Sequence, residues 1–158
     1  MHTRYLLLAL AMIFTPIAGK ADILSDMIGN WKTNANAYVN GNFLASVVGT
    51  SKVTRYGNKG LYSVATVKVG NEPSSTGHVW MHDSGTCLGY VKQGSKTIGI
   101  IQGTWSAKGN VLTQKISAHT LTLDYTQTIT STMVNKKKFT STSTTSYGAT
   151  ITGSATKN

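Results

Sequence analysis

Glycine, asparagine and lysine pairs interrupt this chain every eight to fourteen residues, and no long stretch between them carries a helical period. The corners are Asn40-Gly41-Asn42, Tyr56-Gly57-Asn58-Lys59-Gly60, Asp83-Ser84-Gly85, Gln93-Gly94-Ser95-Lys96, Lys108-Gly109-Asn110 and Tyr147-Gly148. Such residues tolerate the positive φ that tight hairpins demand. The intervening segments are rich in Val, Ile, Thr, Tyr and Trp, which favours strands. The pattern predicts strands over residues 30–39, 43–56, 61–69, 77–82, 86–92, 97–106, 111–117, 121–134, 139–147 and 149–156. Connections this short make successive strands antiparallel neighbours. A meander of eight to ten such strands tends to curl until it closes, because closure removes exposed edges. The expected fold is therefore all-β: an antiparallel up-and-down barrel. Residues 22–28 are the exception, a short piece suited to one helical turn.

The first residues read as an address. His2 and Arg4 precede the apolar run Leu6 to Ile17, followed by Gly19-Lys20-Ala21. That is the order of a secretory signal, with cleavage expected after Ala21. The run is short for a membrane span, so residues 22–158 are expected as one exported domain, periplasmic or secreted, with no span in the mature form. Losing Arg4 and Lys20 leaves 13 basic residues against 5 acidic ones. This balance suits either an anionic envelope surface or plain solubility. Arg55 is then the sole arginine, and the lysines, dispersed apart from Lys136-Lys137-Lys138, are not interleaved with aromatics. Specific nucleic-acid reading is not expected. Cys87 is alone, so no internal disulfide can form. It reads as a buried thiol, reactive only with a histidine nearby in space.

Alternation assigns faces. Leu121, Leu123, Tyr125, Gln127 and Ile129 share one side of a strand, and Thr122, Asp124, Thr126, Thr128 and Thr130 the other. The first set is expected inside, which places Tyr125 and Gln127 on the lumen wall. The Ser/Thr-rich last twenty residues could read as a tail, but Phe139, Tyr147 and Ile151 at strand spacing favour two final strands.

Two Gly-x-Trp motifs stand out: Gly29-Asn30-Trp31 after the helical turn, and Gly103-Thr104-Trp105 before the Lys108-Gly109-Asn110 corner. A bulky indole at a strand end fills the base of a barrel, and glycine is needed where another backbone comes close. The layout from Asp22 to Trp31 resembles the lipocalin-like (calycin) group of β-barrels. The resemblance implies that Trp31 plugs the closed end, that Gly29 lets the chain pass beneath it, and that a basic residue of the last strand lies over the indole. Lys157 is the candidate. Trp105 with Gly103 is expected to cap the same end.

Catalytic and metal constellations are not evident. On a strand, His78 and His82 share a face but stand roughly 13 Å apart, too far for one metal ion. The five carboxylates after the leader, Asp22, Asp26, Glu72, Asp83 and Asp124, offer no inward pair. Arg55, in phase with Val47 and Val53, could project into a barrel mouth and hold an anionic group. Trp80 and His82 line the lumen if their face, rather than that of Val79 and Met81, points inward. The expected function is non-catalytic binding of a small, partly apolar and possibly anionic ligand by Arg55, Trp80, His82, Tyr125 and Gln127, without cofactor or metal. The alternative is a basic envelope protein with a purely structural core, docking on anionic polymer or lipid.

Overall fold

The computed structural model describes residues 23–158 except 59 and 122. The expected leader and the expected cleavage point after Ala21 lie outside the described residues. One short helix, α1 (Ile23–Met27), precedes ten strands: β1 (Gly29–Val39), β2 (Asn42–Tyr56), β3 (Gly60–Val69), β4 (Ser75–Met81), β5 (Thr86–Gln93), β6 (Lys96–Lys108), β7 (Val111–Thr120), β8 (Asp124–Asn135), β9 (Lys138–Thr145) and β10 (Ala149–Lys157). Each pairs antiparallel with the next, and β10 returns to β1 to close the barrel. The architecture is the closed up-and-down barrel expected from the corners, at the upper end of the expected strand number.

The corner chemistry acts as anticipated. Asn40 and Gly41 both adopt positive φ, 49° and 80°, the primed turn whose twist matches that of its flanking strands. Strand limits differ from expectation by up to three residues. The largest difference has a local cause. The Thr120 hydroxyl accepts from the Leu123 backbone N–H at 2.9 Å and donates to the Leu123 carbonyl at 2.7 Å, holding a corner where a strand was expected to run. Leu121 sits in that corner, exposed rather than inward.

Along β8 burial alternates strictly: Tyr125, Gln127, Ile129, Ser131 and Met133 are buried between exposed or half-buried neighbours. Thr126, Thr128 and Thr130 form part of a wet outer wall where β-branched side chains suit the pleat. Because the strands reverse at every corner, α1 and the β2–β3, β4–β5, β6–β7 and β8–β9 corners gather at one end, the floor. The β1–β2, β3–β4, β5–β6, β7–β8 and β9–β10 corners gather at the other.

Candidate functional site

The floor is built around Trp31, which is wholly buried. Its indole N–H donates to the Met27 carbonyl at 3.0 Å, tying β1 to α1. Phe139 of β9 meets it edge-on, with centroids 5.2 Å apart. The Lys157 ammonium lies over the ring, 5.4 Å from its centroid, and donates to the Asp26 carbonyl at 3.1 Å. Gly29, at φ 142°, makes room for this: a Cβ there would lie 2.5 Å from Lys157 Cε. The second motif has a different task. Trp105 is half-buried, and its indole N–H donates to the His82 carbonyl at 2.9 Å, pinning the β4–β5 corner to the floor's rim. Gly103 is where strand meets strand: a Cβ there would stand 2.1 Å from the Lys115 carbonyl oxygen.

Above the floor, strips of small residues cross an inner wall otherwise built of valine, isoleucine, leucine and methionine. Ten strands about 4.8 Å apart, tilted by about 40°, enclose a wall of roughly 10 Å radius. Starting beside Trp31, a strip of inward positions passes from strand to strand through Ser51, Ala65, Gly77, Val91 and Gly99. A second runs through Ser131, Ser141, Gly153 and Ala35. Serine, alanine and glycine cannot reach the axis of such a wall. Some of the lining polar groups satisfy each other: Gln127 donates to Ser143, and the Ser131 and Ser141 hydroxyls are 3.0 Å apart. Four others do not. The hydroxyls of Thr33, Ser51, Ser75 and Tyr125, on residues at most 5% exposed, have no hydrogen-bond partner in the protein. Among the described residues no Lys, Arg, His, Asp or Glu belongs to the buried set. Apart from Lys157 at the floor indole, the lumen wall is therefore apolar with scattered hydroxyls and the amides of Gln114 and Gln127, and carries no charge.

Tyr125 approaches the far end, edge-on to Tyr147 at 5.3 Å. Burial raises both phenols; Tyr147 is pushed up to about 12 against the opposing effect of its hydrogen bond with Thr145, and Tyr125 is raised further, with Tyr147 contributing after burial. A phenol whose folded pKa exceeds its unfolded value leaves stability intact below the unfolded pKa of about 10. Above it the unfolded chain releases protons that the folded one retains, so stability falls as pH climbs from 10 towards 12. Urea midpoints should begin to fall above about pH 8.5, where the unfolded Cys87 thiol ionises while the folded one, pushed up to about 11, does not, and fall more steeply above about pH 10; Tyr147→Phe should shrink only the steeper part.

The residues expected to converge on a ligand divide into three places. Tyr125 and Gln127 line the lumen. Arg55 does not reach a mouth: β2 ends at the floor, where Arg55 is exposed and donates to the Ser25 hydroxyl at 3.0 Å. Trp80 and His82 are not in the lumen, because the β4 register sends Val79 and Met81 inward. Trp80 stands on the outer wall, stacked on Tyr62 at 4.7 Å in a cross-strand ladder that continues through His78 and Tyr90. His82 follows the end of β4, edge-on to Tyr56 at the floor's rim. The lining residues passed over, Thr33, Ser51 and Ser75, were within reach: extending the Trp31 phase by two gives Thr33, and the Val47–Val53 phase contains Ser51. Ser75 needed the true start of β4.

Cys87 is buried and its thiol is pushed up to about 11 by desolvation, so it stays protonated and poorly nucleophilic near neutral pH. His119 and Asp124 pair at 3.4 Å on the exposed outer face. No group of three metal-ligating side chains occurs among the described residues. Depressions on the outer wall, such as one of about 360 Å³ over β1–β3 bordered by Lys32 and Lys68, are open to solvent.

No family model matches the chain, and no curated protein matches it. Solved structures do. Rv2717c from M. tuberculosis aligns over 85% of this chain and 94% of its own, with TM-score 0.58 and 13% identity. The redesigned β-barrel mFAP1, in a structure bound to DFHBI, aligns over 84% and 96%, with TM-score 0.55 and 16% identity. The likeness is one of fold.

Proposed function

We propose that this protein is an exported, non-catalytic barrel of the lipocalin-like (calycin) type that holds a small, largely apolar molecule in its lumen. The observation that carries this reading is the inner wall: a ten-stranded barrel stoppered at one end by Trp31, Met27 and Phe139, and crossed above that floor by strips of serine, alanine and glycine among valine, isoleucine, leucine and methionine. Strips of small side chains in a barrel this wide are the arrangement that ligand-binding barrels use. Gly29-x-Trp31 with Lys157 over the indole supports the calycin assignment, and the DFHBI-bound redesigned barrel supports small-molecule binding by this fold. Protein purified from its own cell envelope and sprayed under native conditions should carry an added small-molecule mass that is lost on denaturation. Bare protein that also takes up no apolar probe would end the reading.

A second reading rests on the floor's outer surface. Asn110 donates to the Met133 carbonyl at 3.0 Å, joining the β6–β7 and β8–β9 hairpins. The exposed Lys108 and the exposed Lys136, Lys137 and Lys138 thus lie on neighbouring hairpins at this end. Such a cluster suits docking on an anionic envelope polymer or lipid. Its mark is sedimentation with anionic vesicles that moderate salt abolishes.

A further inference from the structure

Resting on the lumen-binding reading, we infer that the ligand is uncharged and is recognised at its inner end by the paired hydroxyls of Thr33 and Ser51. Two independent features lead there. The first is charge. Every basic or acidic side chain among the described residues lies outside the buried set, and the chain's one post-leader arginine is bonded to Ser25 at the floor's exterior. An anionic headgroup at this floor would have to shed water and would find one cation beside it, Lys157, already held between the Trp31 ring and the Asp26 carbonyl, which disfavours it. The excess lysine of the sequence therefore says nothing about the ligand.

The second feature is the placement of the orphan hydroxyls. Ser51 is the direct register partner of Trp31, and Thr33 lies two residues beyond Trp31 on the same inward face. Thr33 is thus diagonal to Ser51, roughly 7 Å away across adjacent strands, and both sit immediately above the indole floor. Buried hydroxyls normally find a partner, and Thr33 Oγ1 and Ser51 Oγ have none within the protein. A hydroxyl can donate and accept, so the pair suits an alcohol, ester or ketone group, while the Val47, Val67, Ile116 and Ile151 side chains flank an apolar body. The Ser75 and Tyr125 hydroxyls lie nearer the far end and are free to take a second polar group.

The test is a matched series of twelve-carbon competitors, dodecanol, dodecane and dodecanoate, displacing the neutral fluorophore N-phenyl-1-naphthylamine from the purified chain at pH 8. Dodecanol should compete at least tenfold better than dodecanoate and severalfold better than dodecane. Thr33→Val and Ser51→Ala should each remove the advantage of dodecanol over dodecane. Their melting temperatures should hold or rise, since removing an unpaired buried hydroxyl costs the fold nothing. Dodecanoate competing as well as dodecanol would overturn the inference and leave the binding reading standing. An undiminished preference for dodecanol in both variants would overturn the assignment to Thr33 and Ser51. A fluorophore that does not bind at all would sink the lumen-binding reading itself.

Discussion

Trp31→Ala should cost about 3–5 kcal/mol, the usual toll for emptying a fully buried large aromatic site. For a domain of this size that lowers the melting temperature by about 10–15 °C, from a total stability of only about 5–15 kcal/mol. Several contacts go at once. The indole's bond to the Met27 carbonyl, its edge contact with Phe139 and the ammonium of Lys157 over its face are all lost. The cavity cannot collapse readily, because β1 is held in register on both sides, by β2 and by β10. Trp80→Ala is the control. Trp80 stacks on Tyr62 on the half-exposed outer wall, so its loss should cost only about 1 kcal/mol. Thermal unfolding followed by circular dichroism distinguishes the two, and equal shifts would show that Trp31 is not the floor of the fold.

Gly103→Val is the second large effect. Gly103 pairs with Cys87 on one side and Ile116 on the other. A Cβ there would stand 2.1 Å from the Lys115 carbonyl oxygen and 2.7 Å from Ile116 Cα, and both are backbone atoms. Relief means parting β6 from β7 in the middle of a closed wall, where neither strand has a free side to move into. The expected loss is about 3 kcal/mol, at the upper end of overpacking penalties. Ser106→Val, on the same strand but exposed, should stay within about 0.5 kcal/mol. Urea midpoints decide it, and coincident curves for the two variants would refute the close-approach role of this glycine.

The fold was legible because its strongest signals are local. Corners such as Asn40-Gly41 and Lys108-Gly109-Asn110 set both the turn and the antiparallel neighbour, and a closed sheet is the natural end of ten such steps. Trp31 was legible for a related reason: a large indole between a helical turn and a strand has few places to go. The site was harder to read. Arg55, Trp80 and His82 attract attention because charge, rings and imidazoles are chemically conspicuous, yet which way they face depends on register, and register is a property of pairs of strands. The phase of β4 is fixed by Val79 and Met81 packing inward, which places Trp80 outside. Arg55 kept the inward phase but fell at the wrong end, because an alternation pattern names a face and not a height. The residues that shape the lumen, Ser51, Ala65 and Gly77, are inconspicuous in a sequence because their contribution is the room they leave.

The seam between β1 and β10 has a consequence for how the chain is made. All other strand pairs join sequence neighbours, whereas this one joins the first strand to the last, with Trp31 opposite Lys157. As the chain emerges nine strands can zip progressively, but the cylinder stays split until the closing residues arrive, and long-range closure of this kind is slow. Until then two raw borders and an unfinished tryptophan floor face outward, inviting self-association. A chain cut short before residue 149 would lack β10 and keep those borders permanently, so the vulnerable interval in this protein's life falls at its very last step.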